Sequence, residues 1–253
     1  MNGRPCPDAN VLVDELDLGA LGFERAEPAE TGRPGYNLGF RKRGDAMARY
    51  MPEVFFQVDE QKAREIILQP IPGMSTDERW ESETAWISGH LEFREDALVI
   101  DYGCGIGRLS KVVKRPVLGV DISPTMRQQA IQYVDRQEFG VVSPTILQKL
   151  ARQGLRCDGA VCAWVLQHVV RPEEVIVDLV NALSNHARVY VLNLLTRCVP
   201  TDAGWVDDGI EVHRLLDLHF KFVRDIPVPP ELSALGTYFR LYEKRAPWWR
   251  VLR

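Results

Sequence analysis

The chain has 253 residues, which is enough for one large domain or for one domain with a smaller appendage. Its hydrophobic share of 45% and charged share of 26% are those of a globular protein, and its net charge of −4 gives no electrostatic reason to expect nonspecific nucleic-acid binding. No apolar run approaches the ~20 residues of a membrane span, and the polar N-terminus lacks a signal-peptide core, so we expect a cytoplasmic protein.

The first 75 residues do not have the pattern of a core sheet. Gly19–Gly39 is rich in glycine and proline and predicts an irregular surface segment. Glu53–Leu68 carries apolar residues at helical spacing and predicts a helix. We therefore divide the chain into an N-terminal extension, residues 1–75, and a main domain, residues 76–253.

Strands and helices alternate through most of the main domain. Short apolar runs predict strands at Ala97–Ile100, Val117–Val120, Phe139–Val142, Asp158–Leu166 and Arg188–Leu195. Apolar residues at helical spacing predict helices before, between and after them, at Thr76–Leu91, after Gly107, after Ser123-Pro124, at Thr145–Gln153, after Arg171-Pro172 and at Ile210–His219. This alternation predicts a parallel sheet with helices on both faces. Two further strands, Lys221–Val228 and Thr237–Glu243, follow at the C-terminus.

A glycine turn joins the first strand to its helix. Asp101 ends the strand, and Gly103, Gly105 and Gly107 follow at alternate positions. Glycines let a backbone press against a ligand and adopt dihedral angles that other residues avoid. The spacing lacks the third glycine of the dinucleotide pattern G-x-G-x-x-G, and a carboxylate at Asp101 suits a cationic ligand group better than a pyrophosphate.

A second carboxylate ends the second strand. Asp121 follows Val120, fourteen residues after Gly107. An acidic side chain at this strand tip is placed to accept hydrogen bonds from both hydroxyls of a ribose.

With these residues the sequence resembles the class I S-adenosylmethionine-dependent methyltransferases. The family's first motif and second-strand acid match Asp101, Gly103, Gly105, Gly107 and Asp121. The resemblance implies a Rossmann-like, seven-stranded, mostly parallel sheet with helices on both faces and a C-terminal antiparallel strand pair. It also implies S-adenosylmethionine as cofactor and a methyl transfer as the reaction.

The resemblance extends to residues around the expected cofactor. Cys104 lies within the glycine turn, and the family brings apolar side chains at the positions of Ile122 and Met126 toward the adenine. The exit of the fourth strand, with Ala163 and Trp164, is expected to face both cofactor and acceptor. The family often has an acidic residue after the third strand to bind the adenine amino group. No acid stands there in this sequence, which leaves Ser143 or Gln148 for that contact.

The candidate base is His168, just past the fourth strand, at the edge where ligands bind in such sheets. An ordinary imidazole pKa near 6.5 suits proton removal at neutral pH. The alternative is a histidine that caps or packs locally. By analogy with the family, residues 1–75 are expected to form a lid or to select the substrate.

The sequence lacks the residues that several other kinds of site require. The five cysteines show no C-x-x-C spacing, and no cluster of acids stands near the fourth-strand exit, so we expect no metal. That exit also lacks the tetrapeptide with which base-amino methyltransferases stack a flipped base.

We therefore expect methyl transfer to a small-molecule acceptor, on oxygen, nitrogen or carbon. The alternatives are a catalytically silent cofactor-binding or regulatory protein of the same fold, a protein or RNA methyltransferase, and a nucleotide-dependent oxidoreductase.

Overall fold

The computed structural model describes residues 48–68, 73–232 and 236–246, so the prediction for Gly19–Gly39 lies outside the described residues. The helices are α1 (Glu60–Ile67), α2 (Thr76–His90), α3 (Arg108–Val112), α4 (Pro124–Val134), α5 (Pro144–Arg152), α6 (Pro172–Ala182) and α7 (Val212–His219). The strands are β1 (Val99–Tyr102), β2 (Val117–Val120), β3 (Phe139–Val142), β4 (Cys157–Ala163), β5 (Leu183–Leu194), β6 (Val199–Thr201), β7 (Gly204–Val206), β8 (Phe220–Ile226) and β9 (Thr237–Lys244). None of the described helices is long and apolar enough to cross a membrane.

Seven of these strands form one sheet in the order β3-β2-β1-β4-β5-β9-β8. Strands β3 to β5 in this order are parallel, while β9 runs antiparallel to both β5 and β8. Val99 in β1 pairs with Val117 on one side and Gly159 on the other, so β1 lies at the centre of the parallel part. The predicted Rossmann-like sheet with its C-terminal antiparallel pair is confirmed.

The core lies on both faces of the sheet because the central strands are buried on both sides. All four residues of β1 are buried. Helices α5, α6 and α7 pack on one face, where Ile176, Leu179 and Leu216 are fully buried. Helices α2, α3 and α4 cover the other face through Ile87, Leu109 and Ala130, among others.

Part of the N-terminal extension differs from the predicted continuous helix over Glu53–Leu68. Pro52–Phe55 forms a short 3₁₀ helix, and α1 begins only at Glu60. The break has a local cause, because the Asp59 carboxylate accepts the Lys62 N–H at 2.9 Å and starts a new helix.

Residues 196–209, between the predicted strand Arg188–Leu195 and the predicted helix Ile210–His219, contain the hairpin of β6 and β7. Strands of three residues are too short to give a periodic signal. Tyr50 forms an isolated antiparallel bridge with Thr201, and the backbones of Arg49 and Met51 bond to residues of this hairpin. Residues 49–51, in the described part of the N-terminal extension, thereby lie beside the sheet edge where the parallel strands end.

Candidate functional site

A cleft of about 500 Å³ opens where β1, β2 and β4 end. Its lining combines the glycine turn, the tips of β2 and β3, the exit of β4, the start of α6 and side chains of the N-terminal extension. Ligands of open α/β sheets bind at this edge, outside the carboxyl ends of the strands. The cleft is lined by His168 and by seven of the residues predicted for cofactor binding: Gly103, Gly105, Asp121, Ile122, Met126, Ala163 and Trp164.

The glycine turn needs glycine for its backbone shape. Gly105 and Gly107 have φ angles of +55° and +87°, in the left-handed region. The space that their missing Cβ atoms leave is used by protein side chains, since a Cβ on Gly105 would lie 2.6 Å from Ile67 Cδ1 and one on Gly107 would meet Val134. Val134 lies outside the cleft, whereas Ile67 lines the cleft and packs beside Gly105; Gly103 and Gly105 still present backbone to the cleft.

Asp121 holds this turn from the tip of β2. Its Oδ2 accepts the Gly105 N–H at 2.9 Å and its Oδ1 accepts the Ser123 N–H at 2.8 Å. Burial, the largest influence, raises the pKa of Asp121, and these two bonds oppose that shift. A carboxylate has about four lone-pair directions, so each oxygen can accept one more hydrogen bond from the cleft.

Asp101 lies beneath the turn and does not line the cleft. Its Oδ2 accepts both the N–H (3.0 Å) and the hydroxyl (2.6 Å) of Ser110 in α3. Burial raises the pKa of Asp101 to about 6. The structure therefore gives this carboxylate to the start of α3, where it fixes the turn, and not to a cationic ligand group.

Cys104 and Gly107 also face away from the cleft. The Cys104 thiol is buried among apolar residues that include Ala130 and Phe139, and burial raises the pKa of Cys104 well above its ordinary value. Gly107 is the residue before α3 and packs against Val134. Both residues pack against protein on the side of the turn that faces away from the cleft. The spacing of the motif alone does not show whether a residue has this role or contacts a ligand.

Trp164 is held in an unusual backbone conformation at the exit of β4. Its φ is +61°, in the left-handed region, which is uncommon for a bulky residue. The indole N–H donates to Glu83 Oε1 at 2.7 Å, and the backbone N–H donates to the Leu192 carbonyl at 2.7 Å. Strained residues of this kind persist where their surroundings fix them, and they concentrate at functional sites.

Glu83 is a site-supporting residue that the sequence analysis did not identify. It lies on α2, is only 1% exposed, and pairs with Arg108 at 2.9 Å and Arg79 at 3.4 Å. Glu83 lies four residues after Arg79 and four before the buried Ile87, which places it on the inward face of α2. This helical spacing is the feature of the sequence that could have identified it. A buried carboxylate there requires the two cations, and together they fix the indole of Trp164.

His168 is neutral and fully hydrogen-bonded in this structure. Its Nδ1–H donates to the Cys198 carbonyl at 2.6 Å. The Gln167 Oε1 accepts the Leu194 N–H at 2.8 Å, which turns the Gln167 Nε2 to donate to His168 Nε2 at 3.0 Å.

Burial, with a smaller influence from Arg197, lowers the pKa of His168 to about 4. The expectation of an ordinary imidazole pKa near 6.5 is therefore wrong. The cause is the loss of water around the ring, which disfavours the charged form and which the sequence does not reveal.

Aromatic rings surround His168 on the side of the N-terminal extension. The Phe55 ring centroid lies 5.3 Å from that of His168, and the Trp205 centroid lies 5.5 Å from it. Tyr50 lines the same part of the cleft, and burial raises the pKa of Tyr50 to about 12, so its hydroxyl stays protonated.

A buried ion pair fixes the loop that carries His168. The Arg197 guanidinium pairs with both carboxylate oxygens of Asp208 at 3.0 Å, and both side chains are almost fully buried. The same guanidinium donates to the carbonyls of Leu166 and Val169, on either side of His168. The β4 exit is thus anchored to the segment that follows the hairpin.

The part of the cleft beside β3 contains an acid that comes from another element. Asp178 of α6 accepts the Gln148 amide N–H at 3.2 Å, and Tyr102 donates to the same carboxylate. Ser143 uses its hydroxyl to accept the Ile146 N–H at the start of α5. Only tertiary packing of α5 against α6 brings Asp178 to this place, so the chain order around β3 did not reveal it.

Residues 100–191 match the family model described as "Methyltransferase domain". No curated protein matches the chain in sequence.

Solved structures with the same fold include the N-methyltransferase NodS from Bradyrhizobium japonicum WM9 in complex with S-adenosyl-L-homocysteine, with a TM-score of 0.51, 16% identity, and coverage of 65% of this chain and 87% of that chain. The PH0226 protein from Pyrococcus horikoshii OT3 has a TM-score of 0.52, 16% identity, and coverage of 76% and 96%. The [4+2]-cyclase SpnF has a TM-score of 0.52, 12% identity, and coverage of 66% and 81%. At these identities the likeness concerns the fold.

Proposed function

We propose that the chain is a class I S-adenosylmethionine-dependent methyltransferase and that it transfers the methyl group of S-adenosylmethionine to a small-molecule acceptor. The match of residues 100–191 to the methyltransferase-domain model supports the proposal. One observation carries the proposal. The glycine turn and the Asp121 carboxylate meet in one cleft, and the carboxylate keeps acceptor capacity toward it. Two ribose hydroxyls are the donors that this capacity suits.

The cleft fits the proposed cofactor in composition as well. Met126 is buried and lines the cleft beside the β2 tip, and Ile122 exposes half of its surface there, so apolar side chains flank the place next to Asp121. The 500 Å³ volume lies within the range of small-molecule sites, about 300–1,000 Å³. When bound, S-adenosylmethionine supplies an electrophilic methyl group on a good leaving group.

The chain's contribution is alignment more than acid–base chemistry. Asp101 and Glu83 fix the turn and Trp164 from behind, so that both sides of the cleft are pre-organised. His168 is available as a base only when Gln167 releases its Nε2, and its low pKa makes it a weak proton acceptor at pH 7. We assign the imidazole chiefly to the wall of the acceptor side.

A small acceptor is favoured over a protein or an RNA by the enclosure of the cleft. Tyr50 and Phe55 from the N-terminal extension and Ile66 and Ile67 from α1 line it beside the sheet. These contacts support the proposal that the extension, residues 1–75, acts as a lid or selects the substrate.

The test is isothermal titration calorimetry with S-adenosylmethionine and with S-adenosylhomocysteine, on the parent chain and on Asp121→Ala. We expect binding of both ligands by the parent and a clear loss in the variant. Absence of heat with either ligand on the folded parent would refute the proposal. Asp217→Ala, which removes an exposed carboxylate on α7 outside the cleft, is the matched control.

A second candidate function is cofactor binding without turnover. The engaged nitrogens of His168 favour it, and SpnF, a structure of the same fold, is described as a [4+2]-cyclase. A label-transfer experiment separates the two candidates: the parent is incubated with S-adenosylmethionine carrying a labelled methyl group and a cell extract. Labelled methyl in any extract compound supports transfer, whereas binding without label transfer supports the silent protein.

A further inference from the structure

The cleft divides into two parts along the sheet edge. Asp121 follows β2, whereas His168 follows β4 and bonds to Cys198, beyond the end of β5. The order β2-β1-β4-β5 separates the two outer strands by three strand spacings, about 14 Å. We call the part at β4 and β5, which is lined by Tyr50, Phe55 and His168, the aromatic subsite.

The charged side chains among the described residues that line the cleft are already engaged. Asp121 accepts two backbone N–H groups, and Asp178 accepts the amide of Gln148. Arg171 and Glu174 pair with each other at 2.7 Å at the start of α6. Among the described residues that line the cleft, the aromatic subsite itself contributes rings that are neutral at pH 7.

The rings around the aromatic subsite contact one another at tilted and edge-to-face angles. Phe55 and His168 are tilted by 51°, and Trp205 contacts both rings while half of its surface is exposed. An aromatic guest gains about 0.5–1.5 kcal/mol per such ring pair beyond the burial of its surface. A saturated guest of the same size gains the burial alone.

The electrostatic surroundings disfavour a charged guest. Besides burial, the largest influence, the buried Arg197 guanidinium acts to lower the pKa of both Tyr50 and His168, as a nearby positive charge does. At Tyr50 its influence exceeds the opposite influence of the Glu53 carboxylate, so the positive charge that opposes a cation prevails. The guanidinium's donors are used by Asp208 and by the carbonyls of Leu166 and Val169, so an anion finds no free partner there. An anion would therefore lose its water without a partner, and a cation would gain only contact with ring faces against the repulsion of Arg197.

We infer that the methyl acceptor is a neutral, planar aromatic compound that binds in the aromatic subsite against Phe55 and His168. The inference rests on the proposed function for the identification of this guest as the acceptor. The guest's ring packs against the two side chains, and the Tyr50 hydroxyl is the polar group available to a substituent of the ring.

The experiment measures binding to the whole chain at pH 7 with saturating S-adenosylhomocysteine. Four probes of one carbon skeleton are titrated by calorimetry: 2-naphthol (neutral), 2-naphthoate (anionic), 2-naphthylmethylammonium (cationic) and decahydro-2-naphthol (neutral and saturated). We expect the dissociation constant of 2-naphthol to be at least about tenfold below that of each other probe, which corresponds to about 1.4 kcal/mol. A charged or saturated probe that binds as well as 2-naphthol would overturn the inference, as would the absence of 2-naphthol binding.

A pair of variants locates the guest. Phe55→Ala should weaken 2-naphthol binding about fivefold and leave S-adenosylhomocysteine binding unchanged. Phe222→Ala, which removes a half-exposed ring on β8 outside the cleft, should change neither. Equal 2-naphthol affinity in Phe55→Ala and the parent overturns the inference. Failure of S-adenosylhomocysteine to bind the parent is a separate result that refutes the proposed function.

Discussion

Replacement of Asp121 by asparagine tests the central contact of the proposed cofactor site. The substitution keeps the size of the side chain but removes its charge and one of its two acceptor oxygens. We expect a large loss of S-adenosylhomocysteine affinity with a small change in stability.

The structure gives the magnitude of both effects. Asparagine can accept only one of the N–H groups of Gly105 and Ser123 through its oxygen, and the unpaired donor costs about 1–3 kcal/mol. Because burial raises the pKa of Asp121, loss of the charge offsets part of that cost, and we expect a net stability loss of about 1 kcal/mol. A hydrogen bond from a ribose hydroxyl to a charged group contributes about 1.5–3 kcal/mol, so affinity should fall about 10- to 150-fold.

A thermodynamic cycle separates direct contact from distortion of the turn. S-adenosylhomocysteine and its 2′,3′-dideoxy analogue are titrated into the parent chain, Asp121→Asn and the control Asp135→Asn. If the carboxylate binds the ribose hydroxyls, the parent should prefer the natural ligand by at least about tenfold, and Asp121→Asn should lose most of this preference. Asp135 has a φ of 46°, which asparagine tolerates, so its variant should behave as the parent.

The reasoning is refuted if Asp121→Asn loses affinity for both ligands equally. That outcome would mean that Asp121 acts only by holding the glycine turn. An unchanged affinity for the natural ligand would contradict the assignment of Asp121 altogether.

Three further predictions concern the residues around the cleft. The difference in unfolding free energy between the parent and His168→Gln, measured by urea denaturation, should shrink by about 3 kcal/mol as the pH falls from 7 to 4. The reason is that His168 is protonated near pH 6.5 in the unfolded chain but only near pH 4 in the folded chain. A difference that stays constant with pH would show that the imidazole is not buried as described. The difference between the two chains is needed because Asp101, with its pKa raised to about 6, stabilises the folded chain as the pH falls through the same range. Gly107→Ala should lower the free energy of unfolding by about 2–4 kcal/mol, through backbone strain and a clash with Val134. Gly154→Ala, also at positive φ but with nothing within 4 Å of the added Cβ, should lower it by about 1–2 kcal/mol. Equal losses in urea denaturation would argue against the Val134 contact. Glu83→Gln should lower the free energy of unfolding by about 3–5 kcal/mol because it leaves Arg79 and Arg108 buried without their carboxylate. Trp164→Phe removes one hydrogen bond and should lower it by about 1 kcal/mol. Similar unfolding free energies for the two variants would contradict the described contacts of Glu83 with the two arginines.

Much of the fold was predictable because its signals are local. The apolar runs of β1 to β4 and the proline and serine residues at helix starts lie within a few residues of the elements that they define. The β6–β7 hairpin and the break before α1 were missed because three-residue strands have no measurable period and one capping residue, Asp59, interrupts an otherwise helical pattern.

The site was predictable to the extent that it follows the chain order of the strands. Gly103, Gly105, Asp121 and the β4 exit come together because the carboxyl ends of parallel strands meet at one edge of the sheet. The spacing did not reveal which of the motif's residues face the cleft, since Asp101 and Cys104 belong to the same turn and point into the protein.

The sequence by itself determined the sheet, the glycine turn and the pair of carboxylates at neighbouring strand tips, because each depends on residues close together in the chain. Only the tertiary structure decided the rest. Glu83 accepts a hydrogen bond from the Trp164 indole, and the Gln167 amide donates one to His168 Nε2. The rings of Phe55 and Trp205 pack against His168. Phe55 and His168, for example, are 113 positions apart in the chain, and Glu83 and Trp164 are 81 apart. These contacts depend on burial and on the packing of side chains from different elements, and those quantities exist only once the chain has folded.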